Sequence, residues 1–263
     1  MPKNRAPFIS SITLKRDKVP SFKEYPFSIP AIRNLRELPL PNPVTFLVGE
    51  NGTGKSTLLE AVAVACGFNA EGGSKNFRFS TRPSHSGLHE YLRLARPPGR
   101  PRDGYFLRAE SFYNVATAAE DQYGVLDAYG GRSLHEQSHG ESFMALVLHR
   151  LGGHGLYFFD EPEAALSPTR QMALLAAMHD LVRKGSQFVI AAHSPILLGY
   201  PEATIYLLSE SAIAKVPYTE TEHYVITKSF LNNPEGMLRE LLADSSKLDS
   251  EGGGAVTRSG SIP

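Results

Sequence analysis

Residues 44–56 read VTFLV followed by GENGTGKS. The first five are apolar and partly β-branched, which is typical of a buried parallel strand. The glycines at 49, 52 and 54 predict a tight loop, and the Ala- and Leu-rich residues 57–66 predict a helix. A strand, a glycine-rich loop ending in Lys-Ser and a helix, in this order, form the pattern of a phosphate-binding loop.

This pattern predicts a nucleotide-binding site. Small residues let successive backbone N–H groups surround phosphate oxygens, and the N-terminus of the helix adds a partial positive charge. Lys55 is expected to neutralise the β- and γ-phosphates, and the Ser56 hydroxyl to bind Mg²⁺. The expected nucleotide-binding residues are Gly49, Glu50, Asn51, Gly52, Thr53, Gly54, Lys55, Ser56 and Thr57.

Two further predicted strands end in polar side chains. Apolar residues 156–159 lead to Asp160 and Glu161, and apolar residues 188–192 lead to His193. Ligands of open α/β sheets bind beside the carboxyl ends of the strands, so we expect these side chains near the loop. Asp160 is the expected second Mg²⁺ ligand and Glu161 the expected general base for the attacking water. His193 is expected to hydrogen-bond the γ-phosphate or that water.

A second anion-binding segment is predicted at residues 138–142, which read Ser-His-Gly-Glu-Ser and precede a predicted helix at 141–151. Ser138 can cap this helix, and the N–H groups beyond Gly140 can bind an anion. One nucleotide needs only one phosphate loop. The residues alone therefore leave two interpretations open, an ordinary helix cap and a contact to another phosphate group.

The rest of the chain alternates apolar strands with helices. This predicts an α/β fold with a mostly parallel central sheet covered on both faces and a β-rich N-terminal part. An insertion at about 69–151, with a short helical piece at 88–95, is expected to extend away from the hydrophobic core. We expect one domain over residues 1–244 and a disordered, polar, glycine-rich tail at 245–263.

Composition excludes several classes of protein. The chain has 263 residues, and its single cysteine, Cys66, rules out an intramolecular disulfide and a four-cysteine zinc site. No run approaches the roughly 20 apolar residues of a membrane span, and no signal-peptide segment follows Met1, so we expect a cytoplasmic protein. With 27 basic and 27 acidic residues there is no general attraction for nucleic acid. The four arginines within 93–102 form either a phosphate-contacting loop or a solvated arm.

The phosphate loop, the Ser138 segment, the Asp160–Glu161 pair and His193, in this order, resemble the ATP-binding cassette (ABC) type of P-loop ATPase. Residues 162–168, PEAALSP, also resemble the D-loop of that family. The similarity runs from about residue 8 to residue 208. It implies a P-loop NTPase fold and Mg²⁺-dependent hydrolysis of ATP.

The resemblance also implies a head-to-tail homodimer that closes on ATP. Ser138, Gly140 and Glu141 of one subunit would then contact the ATP held by the other subunit. The segment departs from the family signature because it lacks the second glycine and the terminal glutamine. Glu110 stands where the family often has its Q-loop glutamine, which transporters use to couple ATP to their membrane partner.

Only 83 positions separate Lys55 from Ser138, which leaves no room for the long coiled coil of SMC proteins. The segments DEPEAALSP and AAHSPIL resemble the compact, stand-alone AAA family ATPases of bacteria, relatives of RecF and OLD proteins. An ATPase with an unidentified protein partner is the leading prediction. An ATP-switched nucleic-acid-binding protein and the ATPase subunit of a membrane transporter are the alternatives. The missing glutamine counts against the transporter, so a membrane partner is not expected.

Overall fold

The computed structural model describes residues 7–75, 86–109 and 137–251. The chain divides into two compact units, the first ending at Tyr218 and the second beginning at Thr219. In chain order the α-helices and β-strands of the first unit are β1 (Ser11–Leu14), α1 (Pro30–Asn34), β2 (Glu37–Pro39), β3 (Val44–Val48), α2 (Lys55–Ala65), β4 (Leu92–Ala95), β5 (Asp103–Arg108), α3 (His139–Ala145), β6 (Gly155–Asp160), α4 (Pro168–Arg183), β7 (Gln187–Ala191), α5 (Pro195–Leu198), β8 (Thr204–Leu208) and β9 (Ile213–Lys215).

A six-stranded sheet in the order β5-β6-β7-β3-β8-β9 forms the centre of this unit. The first five strands are parallel to their neighbours, and only the edge strand β9 runs antiparallel, against β8. Parallel neighbours place all five carboxyl ends at one edge of the sheet, so the segments that follow β3, β6 and β7 emerge side by side. The predicted α/β fold with a mostly parallel central sheet is confirmed.

Each face of this sheet carries its own hydrophobic core, because successive side chains of a strand point to opposite faces. Phe46, Phe159 and Phe188 pack on one face against residues of α3 and α4. Leu47 and Phe158 pack on the other face against α2 and the small N-terminal sheet. Burying a side chain of this size stabilises the fold by roughly 1.5–3 kcal/mol. The apolar, non-alternating strands of the sequence are thus explained by burial on both sides.

The N-terminal part forms a three-stranded antiparallel sheet in the order β2-β1-β4. It confirms the β-rich start of the chain, although α1 lies between its first two strands. The third strand corrects the sequence analysis, since residues 92–95 are a strand paired with Ser11–Leu14 and not part of a helix. Part of the predicted insertion at 69–151 also packs in the core, where Leu88 is fully buried and Gly73 is bridged to Phe106, whereas Arg93, Arg96 and residues 98–100 are exposed.

The second unit consists of two helices, α6 (Glu222–Asn232) and α7 (Pro234–Glu251). The division after Tyr218 differs from the expected single domain over residues 1–244. Residues 245–251 belong to α7, so the start of the tail is helical where disorder was expected, and residues 252–263 lie outside the described residues. Within the described part of the chain, no helix combines the length and the apolar character needed to cross a membrane.

Candidate functional site

The loop between β3 and α2 requires glycine at two positions. Gly49 has φ +142°, and a Cβ there would lie 2.2 Å from the carbonyl oxygen of Leu208. Gly54 has φ +95° and caps α2, and a Cβ there would lie 2.8 Å from Cγ2 of Ile29. Side chains at these positions would combine backbone strain with overlap. The glycines therefore permit a turn that presents the N-terminus of α2 to a ligand.

Lys55 lies in the first turn of α2, and its side chain extends back across the loop that precedes the helix. Its ammonium group donates hydrogen bonds to the carbonyl oxygens of Gly49 and Glu50, both at 2.9 Å. The side chain is buried, and this burial lowers the pKa of Lys55, while the nearby carboxylates of Glu161 and Asp160 oppose the shift. The ammonium group is thus held over the loop by two carbonyl oxygens.

Ser56 and Asp160 meet where α2 begins and β6 ends. The Ser56 hydroxyl donates to Oδ1 of Asp160 at 2.8 Å, although the residues are 104 positions apart. Hydroxyl and carboxylate oxygens are the hard ligands that Mg²⁺ prefers, and Mg²⁺ normally completes its shell with water and phosphate oxygens. In the described residues no group of three or more His, Cys, Asp or Glu side chains could hold a metal by itself. Two protein oxygens at this point fit a magnesium ion that arrives with a nucleotide.

Arg108, at the end of β5, is a site residue that the sequence analysis did not single out. Its Nη1 donates to Oε2 of Glu60 on α2 at 2.7 Å, and its Nε lies 3.6 Å from Oδ2 of Asp160. It therefore ties the helix that follows the loop to the end of β6. The signal available in the sequence was a charged residue at the carboxyl end of a buried strand.

Glu161 and His193 follow the ends of the neighbouring strands β6 and β7. Oε1 of Glu161 lies 3.5 Å from Nε2 of His193, which makes an ion pair when the imidazole is protonated. Glu161 adopts a left-handed backbone conformation with φ +50°, which only a few per cent of non-glycine residues adopt. The conformation turns the chain sharply into the 3₁₀ segment Pro162–Ala165. The structure thus brings together the two predicted catalytic residues.

A cavity of about 380 Å³ opens beside the loop. It is lined by Tyr25, Ile29, Asn51, Gly52, Gly54, Lys55, Ser56, Thr57 and Glu161. Tyr25 is 66% exposed, whereas Phe27 is buried and Phe22 packs under Arg16. Of Phe22, Tyr25 and Phe27, Tyr25 is therefore the one with an exposed ring at the cavity.

Ser138 caps α3 and belongs to a compact polar cluster. It forms a capping box with Glu141: the Ser138 hydroxyl accepts the backbone N–H of Glu141 at 3.4 Å, and Oε2 of Glu141 accepts the backbone N–H of Ser138 at 3.0 Å. The hydroxyl also donates to Oε2 of Glu141 at 2.6 Å. Arg170 of α4 donates to the Ser138 hydroxyl at 3.4 Å and pairs with Glu141 at 3.3 Å. Gly140 lies so close to Arg170 that a Cβ would be 2.5 Å from its Nη1. The helix cap predicted from the sequence is present, and Arg170 was missed.

The four arginines within 93–102 differ in their contacts, and Glu110 is not among the described residues. Arg96 donates to the carbonyl oxygen of Ala65 at 2.8 Å, so it has a structural partner. The side chains of Arg93, Arg100 and Arg102 are exposed. Glu110 lies outside the described residues, so its predicted place in the Q-loop stays a prediction.

Two protein-family models match the chain. The first, described as "AAA domain", matches residues 23–96, and the second, described as "AAA domain, putative AbiEii toxin, Type IV TA system", matches residues 124–199. The first match contains the phosphate loop and the second contains the Ser138 segment, the Asp160–Glu161 pair and His193. Both matches, together with the loop geometry, support an AAA-type P-loop domain. A search of curated protein sequences gave no significant match.

Solved structures similar to this chain include ATP-binding subunits of ABC transporters and the head domain of an SMC protein. One is cbiO1 from Clostridium perfringens, part of the ABC transporter complex cbiONQ, with 18% identity, 78% of this chain and 91% of that chain covered, and a TM-score of 0.45. Another is an ATP-binding cassette of an ABC transporter in its ADP conformation, with 18% identity, coverage of 68% and 81%, and a TM-score of 0.40. The SMC head domain from Thermotoga maritima has 15% identity, coverage of 69% and 92%, and a TM-score of 0.39. These likenesses carry no argument about function, and the P-loop assignment rests on the two family-model matches and the loop geometry.

Proposed function

We propose that the protein binds ATP with Mg²⁺ and hydrolyses the anhydride bond between its β- and γ-phosphates. The observation that carries this proposal is the meeting of three strand ends at one edge of the sheet. There the loop after β3, the Ser56–Asp160 pair and the Glu161–His193 pair lie together. A phosphate cradle, a pair of hard oxygens and a carboxylate beside an imidazole are what phosphoryl transfer to water requires.

ATP would enter the cavity beside the loop. The γ- and β-phosphates would replace the carbonyl oxygens of Gly49 and Glu50 as partners of the Lys55 ammonium group. The backbone N–H groups at the start of α2 would bind the remaining phosphate oxygens. Tyr25 is exposed at the cavity and offers a ring on which the adenine base can stack.

Ser56 and Asp160 would hold the magnesium ion, with the carboxylate kept in place by Arg108. When bound, Mg²⁺ neutralises charge on the β- and γ-phosphates. Glu161 would accept a proton from the water that attacks the γ-phosphorus atom. His193, 3.5 Å from Glu161, would orient that water or hydrogen-bond the γ-phosphate.

We further propose that two copies close head to tail around two ATP molecules. The Ser138 hydroxyl and the N–H groups beyond Gly140 of one copy would then contact the γ-phosphate held by the other. The support is the resemblance to ABC ATPases together with the exposure of Ser138 and Glu141. Glu141 would repel a phosphate, and its ion pair with Arg170 compensates part of this charge.

The test is hydrolysis by the wild-type protein and its Glu161→Gln variant. Removal of a general base is expected to lower kcat by about 10²-fold or more and to leave the Kd for Mg²⁺-ATP unchanged. Phosphate release measures kcat, and calorimetry measures Kd. Glu37→Gln, at an exposed position of β2, is the matched control and should retain the wild-type rate. Equal rates for Glu161→Gln and the wild type would remove Glu161 from the role of base.

A nucleic-acid-binding role has one observation in its favour. Arg93, Arg100 and Arg102 are exposed on and after β4, which is an edge strand of the small sheet. If these arginines contact phosphates, DNA or RNA binding should weaken steeply with salt, and replacing the three by Ala should lower the salt slope. Fluorescence anisotropy at several salt concentrations measures both quantities. Binding that is insensitive to salt and to the triple replacement would reject this role for the three arginines.

A further inference from the structure

Glu163 connects the ends of two strands that carry the proposed catalytic residues. It lies in the 3₁₀ segment Pro162–Ala165 that follows β6. Its Oε1 accepts the backbone N–H of His193, and also the backbone N–H of Ser194 at 3.2 Å. A side chain placed two residues after Glu161 therefore holds the backbone of His193.

These contacts begin where the sheet ends. The last paired residues of β6 and β7 are Asp160 and Ala191. The N–H of Ala192 still bonds to Leu47 of β3, at 3.2 Å, and the next residue is His193. Beyond the ladder, Glu163 supplies the acceptor that a neighbouring strand would otherwise supply, which keeps both N–H groups satisfied.

The Glu163 carboxylate also links the chain segments that contain Glu161 and His193. Glu161 has a left-handed backbone conformation, and such conformations persist when the surrounding structure holds them. Glu163 anchors the segment that leaves Glu161 to the segment that carries His193. A displacement of about 1 Å between reacting groups can cost on the order of 10²-fold in rate.

We propose that Glu163 is a positioning residue that sets the distance between Glu161 and His193. It acts through the backbone of His193 and not on the reacting atoms. This inference rests on the proposed hydrolysis of ATP and adds a residue that the phosphate-loop pattern does not contain.

The first experiment is a double-mutant cycle in kcat. We expect Glu163→Ala to lower kcat by about 10- to 100-fold with the Kd for ATP unchanged. In the His193→Ala background the same replacement should have no further effect, because the two residues act as a unit. Glu163→Gln keeps an oxygen that can accept both N–H groups. Because this replacement can keep both hydrogen bonds, kcat should stay within about threefold of the wild type.

Gln187→Ala is the matched control for a purely structural effect. Gln187 is buried at the opposite end of β7, where its amide bonds to the backbone N–H of Ile9 at 2.9 Å and to the carbonyl oxygen of Ile9 at 2.8 Å. We expect Gln187→Ala and Glu163→Ala both to lower Tm, but Gln187→Ala to leave kcat within about twofold of the wild type. Wild-type kcat in Glu163→Ala, or losses that add to those of His193→Ala, would overturn the positioning role.

A second measurement does not depend on hydrolysis. The imidazole signal of His193 in a ¹³C-histidine NMR spectrum is assigned by its loss in His193→Ala. Glu161→Gln should shift this signal in the otherwise wild-type protein, because the two side chains are 3.5 Å apart, but not in the Glu163→Ala background. An equal shift in both backgrounds overturns the positioning role. Absence of ATP hydrolysis in the wild type, with the expected NMR result, would instead reject the proposed function.

Discussion

At the scale of single residues, the polar groups of the site already have partners inside the protein. Lys55 is held by two loop carbonyl oxygens, and Ser56 is held by Asp160. These contacts satisfy groups whose burial without a partner would cost about 1–3 kcal/mol each. Each partner is also one that a phosphate or a metal ion can replace. The polar groups of the site are therefore satisfied without a ligand, and a phosphate or a metal ion can replace their present partners.

Cys66 allows a prediction about chemical reactivity. Burial raises the pKa of its thiol to about 11, although Arg96 and Lys75 oppose the shift. The thiolate is the reactive form, so raising the pKa from 9.0 to about 11 lowers its population at pH 8 by about 10²-fold. We expect a disulfide reagent such as DTNB to label the native protein at least that much more slowly than the unfolded chain. Absorbance at 412 nm follows the reaction, and equal rates in both states would contradict the assigned burial.

At the scale of secondary structure, the start of α3 depends on a close approach between elements. A Cβ on Gly140 would lie 2.5 Å from Nη1 of Arg170 and 2.8 Å from the carbonyl oxygen of Ala165. The flexible Arg170 side chain can move away, but the carbonyl oxygen of Ala165 can move only if the backbone of the 3₁₀ segment shifts. The absence of a side chain at position 140 therefore lets α3 pack on the segment that follows the Asp160–Glu161 pair.

Gly140→Ala should accordingly destabilise the fold by about 1–3 kcal/mol, as overpacking does elsewhere. The free energy of unfolding, measured with urea, provides the value. Gly87→Ala is the matched control, because a Cβ there meets nothing within 4 Å. An unchanged midpoint for Gly140→Ala would mean that α3 does not rest on the 3₁₀ segment.

The same scale separates what the sequence could predict from what it could not. The strand at 44–48 matches the prediction to the residue, because a buried parallel strand is largely apolar. Residues 92–95 were misassigned to a helix because their strand pairs with β1, about 80 residues away, and local patterns do not report distant pairing. The loop, Asp160, Glu161 and His193 were predictable because spacing and strand ends mark them. Arg108, Glu163 and Arg170 were not, since their roles come from partners on other elements.

At the scale of the whole molecule, the sheet edge holds the residues of the phosphate loop and the proposed base, while the Ser138 segment has contacts of its own. Lys55, Ser56 and Glu161 line one cavity, whereas the side chain of Ser138 contacts Glu141 and Arg170. Ser138 and Glu141 remain exposed. We propose that the Ser138 hydroxyl contacts a phosphate held by a second copy, with the Glu141 charge compensated in part by Arg170.

The oligomeric state of Glu161→Gln tests this proposal. A blocked base should trap the closed form, so Mg²⁺-ATP should shift the molar mass measured by light scattering from monomer to dimer. Adding Ser138→Arg should abolish the shift, because a large cation would occupy the place of the γ-phosphate contact. Lys215→Arg, at an exposed position of β9, is the control and should leave the shift intact. If Glu161→Gln remains monomeric with ATP demonstrably bound, or if Ser138→Arg still dimerises, Ser138 does not contact a phosphate across two copies of this chain.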